Sequence, residues 1–305
     1  MQEKLRSWLS PPDPSVNHNT ACKTQHLGTA TWFVQSTTFE DWKKNGSLLW
    51  VRGNRTLLQL FEFFLFMFLL MHFFILQPVR EKAFYGAWFF AFFCDENFIF
   101  CISSAIIEDI KNMQTSRPSL IAYYYFDFKD AFKRGVRGLL TSLLIQLADD
   151  SARCWDVLYE LHTSCRDGRE QPSDISLAGC LKSMLELPGQ LPTFLIIDAL
   201  DECPNTAGTP SAREEVLNFL EDFVGSNHSN LFICVTSRPE QDIQTILNPL
   251  APASRCVSLH EEGGQREDIK SYVRSFVHED RTMRRWREDD RNLVITTLID
   301  RAGGM

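Results

Sequence analysis

A chain of 305 residues is long enough for one large α/β domain with an appendage, or for two modest domains. Its formal net charge is -8 with a pI near 5.4, and its 31 basic residues gather into no dense patch, so nothing points to nucleic acid as a partner. The cysteines, at 22, 94, 101, 154, 165, 180, 203, 234 and 256, form no CxxC pair and show no metal-ligand rhythm. With no N-terminal signal peptide they read as reduced thiols of a cytoplasmic protein, most of them small apolar fillers.

In chain order, residues 1–20 begin with a short amphipathic turn and run into Pro, Ser and Asn, the composition of a tether. TTFEDWKKN at 37–45 predicts a helix, with Thr37 or Thr38 as cap, acids in the first turn and lysines in the last. SLLWVRG at 47–53 predicts a buried strand that leads into a tight loop. The composition then changes abruptly: residues 57–102 hold 14 of the 24 phenylalanines and only six charged residues, unlike any soluble segment around them. Residues 57–76 are just long enough to cross a bilayer, with Arg52 and Arg55 on one flank and Arg80 and Lys82 on the other. Glu62 and His72 inside that run oppose a spanning role.

Ordinary soluble patterning returns at SSAIIEDIKNM, 103–113, a helix opened by serines. LIAYYYFDF at 120–128 is a β-rich run, followed by apolar-periodic helices over 135–149, 154–162 and 175–187. PTFLIID at 192–198 is an uninterrupted apolar run of the buried parallel-strand type, and NLFICVTS at 230–237 is a second. An amphipathic helix at 211–224 lies between them; a short strand at 255–260 and helices at 267–280 and 291–301 follow. Strand and helix alternating in this order predict a mostly parallel sheet covered on both faces, a three-layer α/β sandwich interrupted by a hydrophobic insertion.

Asp198 closes a buried strand, where ligands sit in open α/β sheets, and a carboxylate there can hold Mg2+ against the phosphates of ATP or GTP. Asp201 and Glu202 follow on the loop: Glu202 is suited to orient or deprotonate an attacking water, Asp201 to support the metal shell. Arg238 ends the second apolar strand at VTSRPE, suited to sense a γ-phosphate and stabilise charge during its transfer. Each reading has a plainer counterpart, a polar loop leaving a strand or a surface arginine before a Pro turn. The combination of apolar strand, D-x-x-D-E and a further strand ending in TSR favours the functional one. The phosphate-cradling loop GxxxxGK[ST] is missing, because no Gly-Lys dipeptide occurs in the chain.

The segments at 8–54, SSAIIEDI at 103–110, LIAYYYFDFKD at 120–130, FLIIDALDECP at 194–204, LFICVTSRPE at 231–240 and AGGM at 302–305 resemble fungal NACHT-domain proteins. These are signalling NTPases of the STAND class, related to NOD-like receptors and often followed by ankyrin, WD40 or tetratricopeptide repeats. The resemblance implies the three-layer sandwich of a P-loop NTPase and Mg-ATP or Mg-GTP as cofactor, with Asp198 as the magnesium-associated acid, Asp201 and Glu202 as the acidic pair and Arg238 as the sensor arginine. It also implies an oligomerising switch with protein partners or copies of itself. Gly53 and Asn54 match the start of the family's phosphate loop, but Ile99 falls where its lysine belongs and Phe100 where its Ser or Thr belongs. On this reading residues 1–45 are an N-terminal linker with a short helical segment. Residues 46–305 are a NACHT-like domain, incomplete at its C-terminus and interrupted over about 55–101.

The interruption has three readings: a retained intron or gene-model error, a membrane insertion through 57–76 that would make the protein membrane-associated, or a degenerate module acting as a catalytically inactive scaffold. The first keeps the family's nucleotide-dependent switch, defective in nucleotide binding in this chain; the second gives a membrane-associated polypeptide whose function has nothing to do with ATP; the third replaces nucleotide chemistry with protein interaction, and no cofactor would then bind.

Overall fold

The computed structural model describes residues 1–24, 30–53, 102–206, 210–226, 228–259, 263–279 and 283–302. The aromatic segment, including the 57–76 run and positions 99 and 100, lies outside the described residues. Five strands form one parallel sheet: β1 Ser47–Arg52, β2 Leu120–Tyr125, β3 Thr193–Asp198, β4 Leu231–Ser237 and β5 Cys256–Ser258, in the order β2-β3-β4-β1-β5. The mixed α/β fold, with helices flanking both faces, is the three-layer sandwich of P-loop NTPases expected from the strand and helix order.

Strand parity divides the interior into two cores. Leu48 and Trp50, Ala122 and Tyr124, Leu195 and Ile197, and Ile233 and Val235 point to one face, where helices Val136–Asp150, Ala152–Ser164, Asp174–Leu185, Ala212–Gly225 and Gln241–Leu250 cover them. Leu49 and Val51, Ile121 and Tyr125, Phe194 and Ile196, and Phe232 and Cys234 point to the other. That second face is covered by Thr31–Val34, Thr37–Asn45 and the helical residues 102–114. The strands are buried on both sides, which is why they read as continuous apolar runs instead of alternating ones.

Local chemistry positions the second layer. Ser36, not Thr37 or Thr38, caps the Thr37–Asn45 helix, accepting from the Phe39 N-H at 3.2 Å. Lys43, nearly buried, reaches Glu40 at 2.7 Å and Asp109 at 2.8 Å, fastening this helix to the one over 102–114. Trp42 packs edge-on against both Phe194 and Phe232 of the sheet.

Where the Pro- and Ser-rich N-terminus suggests a tether, two helices form, Gln2–Leu9 and Ser15–Thr24. Leu5, Trp8 and Leu9 are buried in the first core, and the Trp8 indole donates to the Glu170 carbonyl at 3.0 Å. Each such apolar side chain taken out of water stabilises docking by about 1.5–3 kcal/mol, enough to hold a short helix that would not persist alone. Among the described residues no helix is long and apolar enough to cross a membrane.

Candidate functional site

The parallel registers bring the carboxyl ends of β2, β3, β4 and β1 to one edge of the sheet: Tyr125 pairs with Asp198, Ile197 with Val235, and Arg52 with Ser237. β4 lies between β3 and β1, so a group at the end of β4 faces both the acid of β3 and the loop leaving β1. Gly53, buried at the start of that loop, donates its N-H to the Ser237 carbonyl at 3.1 Å, and the Trp50 indole donates to Ser237 Oγ at 2.9 Å. Asn54 lies outside the described residues.

Asp198 is 1% exposed, and parity turns its side chain toward the layer that contains residues 102–114. Two hydroxyls meet it there. Thr236 Oγ1 accepts the N-H of Ala199 at 3.1 Å and donates to Asp198 Oδ1 at 2.5 Å, while Ser103 Oγ donates to the same Oδ1. Oδ2 is buried and has no hydrogen-bond partner among the described residues. Burial raises the Asp198 carboxyl to about 7; the two hydroxyls pull the other way, and the neighbouring Asp201 charge adds to the rise. A buried carboxylate oxygen without a donor is costly unless something positive faces it. The donor set of one carboxylate and two hydroxyls is the hard-oxygen chemistry that Mg2+ prefers.

The loop after β3 turns sharply, with Ala199 in the left-handed region at φ 55° and a 3-10 turn over Leu200–Glu202. Asp201 leaves that turn toward β4: its Oδ1 accepts the Arg238 N-H at 2.9 Å, and its Oδ2 lies 3.3 Å from Arg238 Nε. Burial raises the Asp201 carboxyl, and Arg238 opposes the rise. Glu202 accepts the Phe128 N-H at 3.2 Å; burial raises it to about 8, with Asp201, Asp127 and Asp198 adding to the shift against that one N-H. Asp198, Asp201, Glu202, Arg238 and Gly53 therefore all lie along one sheet edge, with Asp201 and Arg238 paired to each other.

Three residues of this edge are not singled out by sequence reasoning. Ser103 looks like a helix cap, yet it sits three and four residues before Ile106 and Ile107, on the same buried helix face, and that spacing is the signal that it points inward. Thr236 is hidden in an apolar strand. Arg213, 5% exposed, donates to the carbonyls of Asp201 at 2.6 Å and Cys203 at 2.8 Å and to the carboxylate of Glu240 at 2.5 Å, clamping the acidic loop from below.

Thr236→Val retains shape while deleting both bonds of the hydroxyl. It leaves the Ala199 N-H buried without an acceptor, so a loss of about 2–3 kcal/mol in urea unfolding is expected, against about 1 kcal/mol for Ser103→Ala, where only a donor is removed. Equal losses from the two would contradict this division.

Residues 101–238 match the family model described as Nephrocystin 3, N-terminal, a little under half of the chain. The match opens just after the aromatic segment and closes at Arg238, so it takes in Ser103, the acidic loop and β2 to β4. It supports a general assignment to STAND-type NTPase modules. No curated protein matches the chain.

Proposed function

We propose that this chain is a NACHT-type module of the STAND signalling class, of the kind found in fungal proteins, with a nucleotide-dependent switch whose grip on nucleotide is defective. The observation that carries the reading is Asp198 at the end of β3, fixed through Oδ1 by Ser103 and Thr236, with Oδ2 buried and unpartnered. Asp198 and the Ser103 hydroxyl would hold Mg2+, which would supply positive charge against the phosphates of ATP or GTP. Glu202 is the residue able to move a proton: at neutral pH it holds one, and above its own pKa of about 8 it can accept one from water. Arg238 is engaged by Asp201, so it would reach a phosphate oxygen by exchanging one anion for another, a geometry suited to sensing. Protein partners or self-association follow from the class, with 46–305 as the interrupted domain and residues 1–45 as an N-terminal segment whose helices dock onto it.

The defect follows from the sequence between Asn54 and Cys101, which contains no Gly-Lys and no glycine-rich cradle. Calorimetric titration with Mg-ATP and with Mg-GTP is expected to give no micromolar binding of either; micromolar affinity for one of them would contradict a defective grip. A second reading, an inactive interaction scaffold, is favoured by the Asp201–Arg238 pair, which holds both groups without any ligand. The two differ in what a restored phosphate loop would do: the switch regains nucleotide, the scaffold does not.

A further inference from the structure

Beside β2, where His18 meets Tyr123 and Tyr125, a second polar cluster joins the Ser15–Thr24 helix to the 102–114 helix. His18 and Cys22 are one turn apart on the Ser15–Thr24 helix, so their side chains leave the same face, and Glu108 meets them. His18 Nε2 lies 3.1 Å from Glu108 Oε1 and 3.6 Å from Cys22 Sγ, and the three atoms all fall within 4.8 Å of one another. Tetrahedral zinc, with bonds of about 2.0–2.1 Å to nitrogen and oxygen and about 2.3 Å to sulfur, sets N···O near ~3.4 Å and N···S near ~3.6 Å. The remaining ring nitrogen, Nδ1, lies 3.1 Å from Tyr125 Oη, the outer partner that orients a ligating imidazole.

Several groups crowd one nitrogen of the His18 ring. Nε2 is approached by a carboxylate oxygen, a thiol and, at 3.3 Å, the Lys111 ammonium. One ring nitrogen carries either a proton or a lone pair, so it serves Glu108 or Lys111 but not both, and those two pair with each other at 3.0 Å in either case. Burial and Lys111 hold His18 below the usual imidazole range, which leaves the ring neutral, as a ligand must be. Burial and Glu108 hold the Cys22 thiol up, which argues against a nucleophile; the Glu108 carboxylate also approaches Nε2 and not Nδ1, so the three do not form a catalytic relay.

We propose that His18, Cys22 and Glu108 form a site for one divalent ion of the zinc class, with its fourth position open to solvent. A thiolate, an imidazole and a carboxylate together suit zinc and not Mg2+ or Ca2+. On binding, the Cys22 S-H proton passes to solvent as the sulfur-metal bond forms, and Lys111, whose side chain is 36% exposed, turns outward from Glu108. The ion clips the Ser15–Thr24 helix to the helix that carries Ser103, linking it to the layer that faces Asp198.

The test is titration of the full chain with Co2+, followed by displacement with Zn2+. One equivalent giving a thiolate-to-cobalt charge-transfer band is expected. The band is abolished in Cys22→Ser, kept in Cys165→Ser, and accompanied by at least tenfold weaker binding in Glu108→Gln. Lys111→Met, which leaves every ligand in place, is expected to bind several-fold more tightly. No band in the wild-type chain, a band that survives Cys22→Ser, or weaker binding by Lys111→Met would each overturn the site. Circular dichroism of each variant separates loss of the metal from loss of the fold, and the Lys111→Met comparison decides the matter should Cys22→Ser unfold.

Discussion

Asp198→Asn is expected to gain stability over the wild-type chain as pH rises, the difference in unfolding free energy widening by about 2–3 kcal/mol between pH 5 and pH 8. The wild-type carboxyl titrates near 4 when unfolded and at about 7 when folded, because burial outweighs the two hydroxyl donors. Between those values the folded state holds a proton that the unfolded state releases, so stability falls as pH rises and levels off above about 7. Asparagine preserves the acceptor that Ser103 and Thr236 use but carries no charge to bury. Glu202, raised in the same direction to about 8 in part by the Asp198 charge, titrates lower in the asparagine variant, which widens the gap in the same sense. Urea unfolding at a series of pH values checks this, and parallel curves for the two chains would show that the carboxyl carries no such penalty. Since the proposed cation faces the unpartnered Oδ2, millimolar Mg2+ is expected to narrow the gap by stabilising the wild type alone.

Arg213→Met is expected to cost about 3–5 kcal/mol, the largest loss of any substitution near the site. The guanidinium is buried and meets four partners at once: the carbonyls of Asp201 and Cys203, and the carboxylates of Glu240 and Asp242, the last at 3.2 Å. Methionine fills the stem volume but takes the guanidinium away from two carbonyls and two acids, of which Asp242 keeps the Asn205 amide at 3.0 Å. Glu240 and Asp242 have side chains 20% and 33% exposed, so water recovers part of the loss and the lower end of that range is the better guide. Arg213→Lys retains the charge but offers a single ammonium for a forked set of acceptors, so it rescues only partly. Beyond the global loss, hydrogen exchange at 199–206 is expected to quicken in both variants, because Arg213 holds the acidic loop from beneath. A loss below 1 kcal/mol with unchanged exchange would remove Arg213 from this role.

The central strands β3 and β4 were legible because they are buried on both faces, which turns the sequence into plain apolar runs, FLIID at 194–198 and LFICV at 231–235. The acids of the candidate site were legible because they follow directly on such a run. Strand order was not: nothing local says that β4 inserts between β3 and β1, and that placement is what brings Thr236 alongside Asp198. Ser103 and Thr236 escaped notice because a hydroxyl advertises no partner until the register is known. The N-terminus misled for a different reason: Pro11, Pro12 and Pro14 break the chain between two helices, and a break between docked elements has the composition of a tether. The His18 and Cys22 pair was passed over because a search for cysteine spacing alone does not see a histidine one helical turn away.

The most direct measurement is the Mg-ATP affinity, by calorimetry, of a chain in which residues 54–101 are replaced by a glycine-rich loop ending in Gly-Lys-Thr. If Asp198, Ser103 and the acidic loop are the metal-facing half of a nucleotide site, this chain binds Mg-ATP with a micromolar dissociation constant and loses that binding on Asp198→Asn. A folded replacement chain that binds no nucleotide, or one whose binding is indifferent to Asp198, would contradict it.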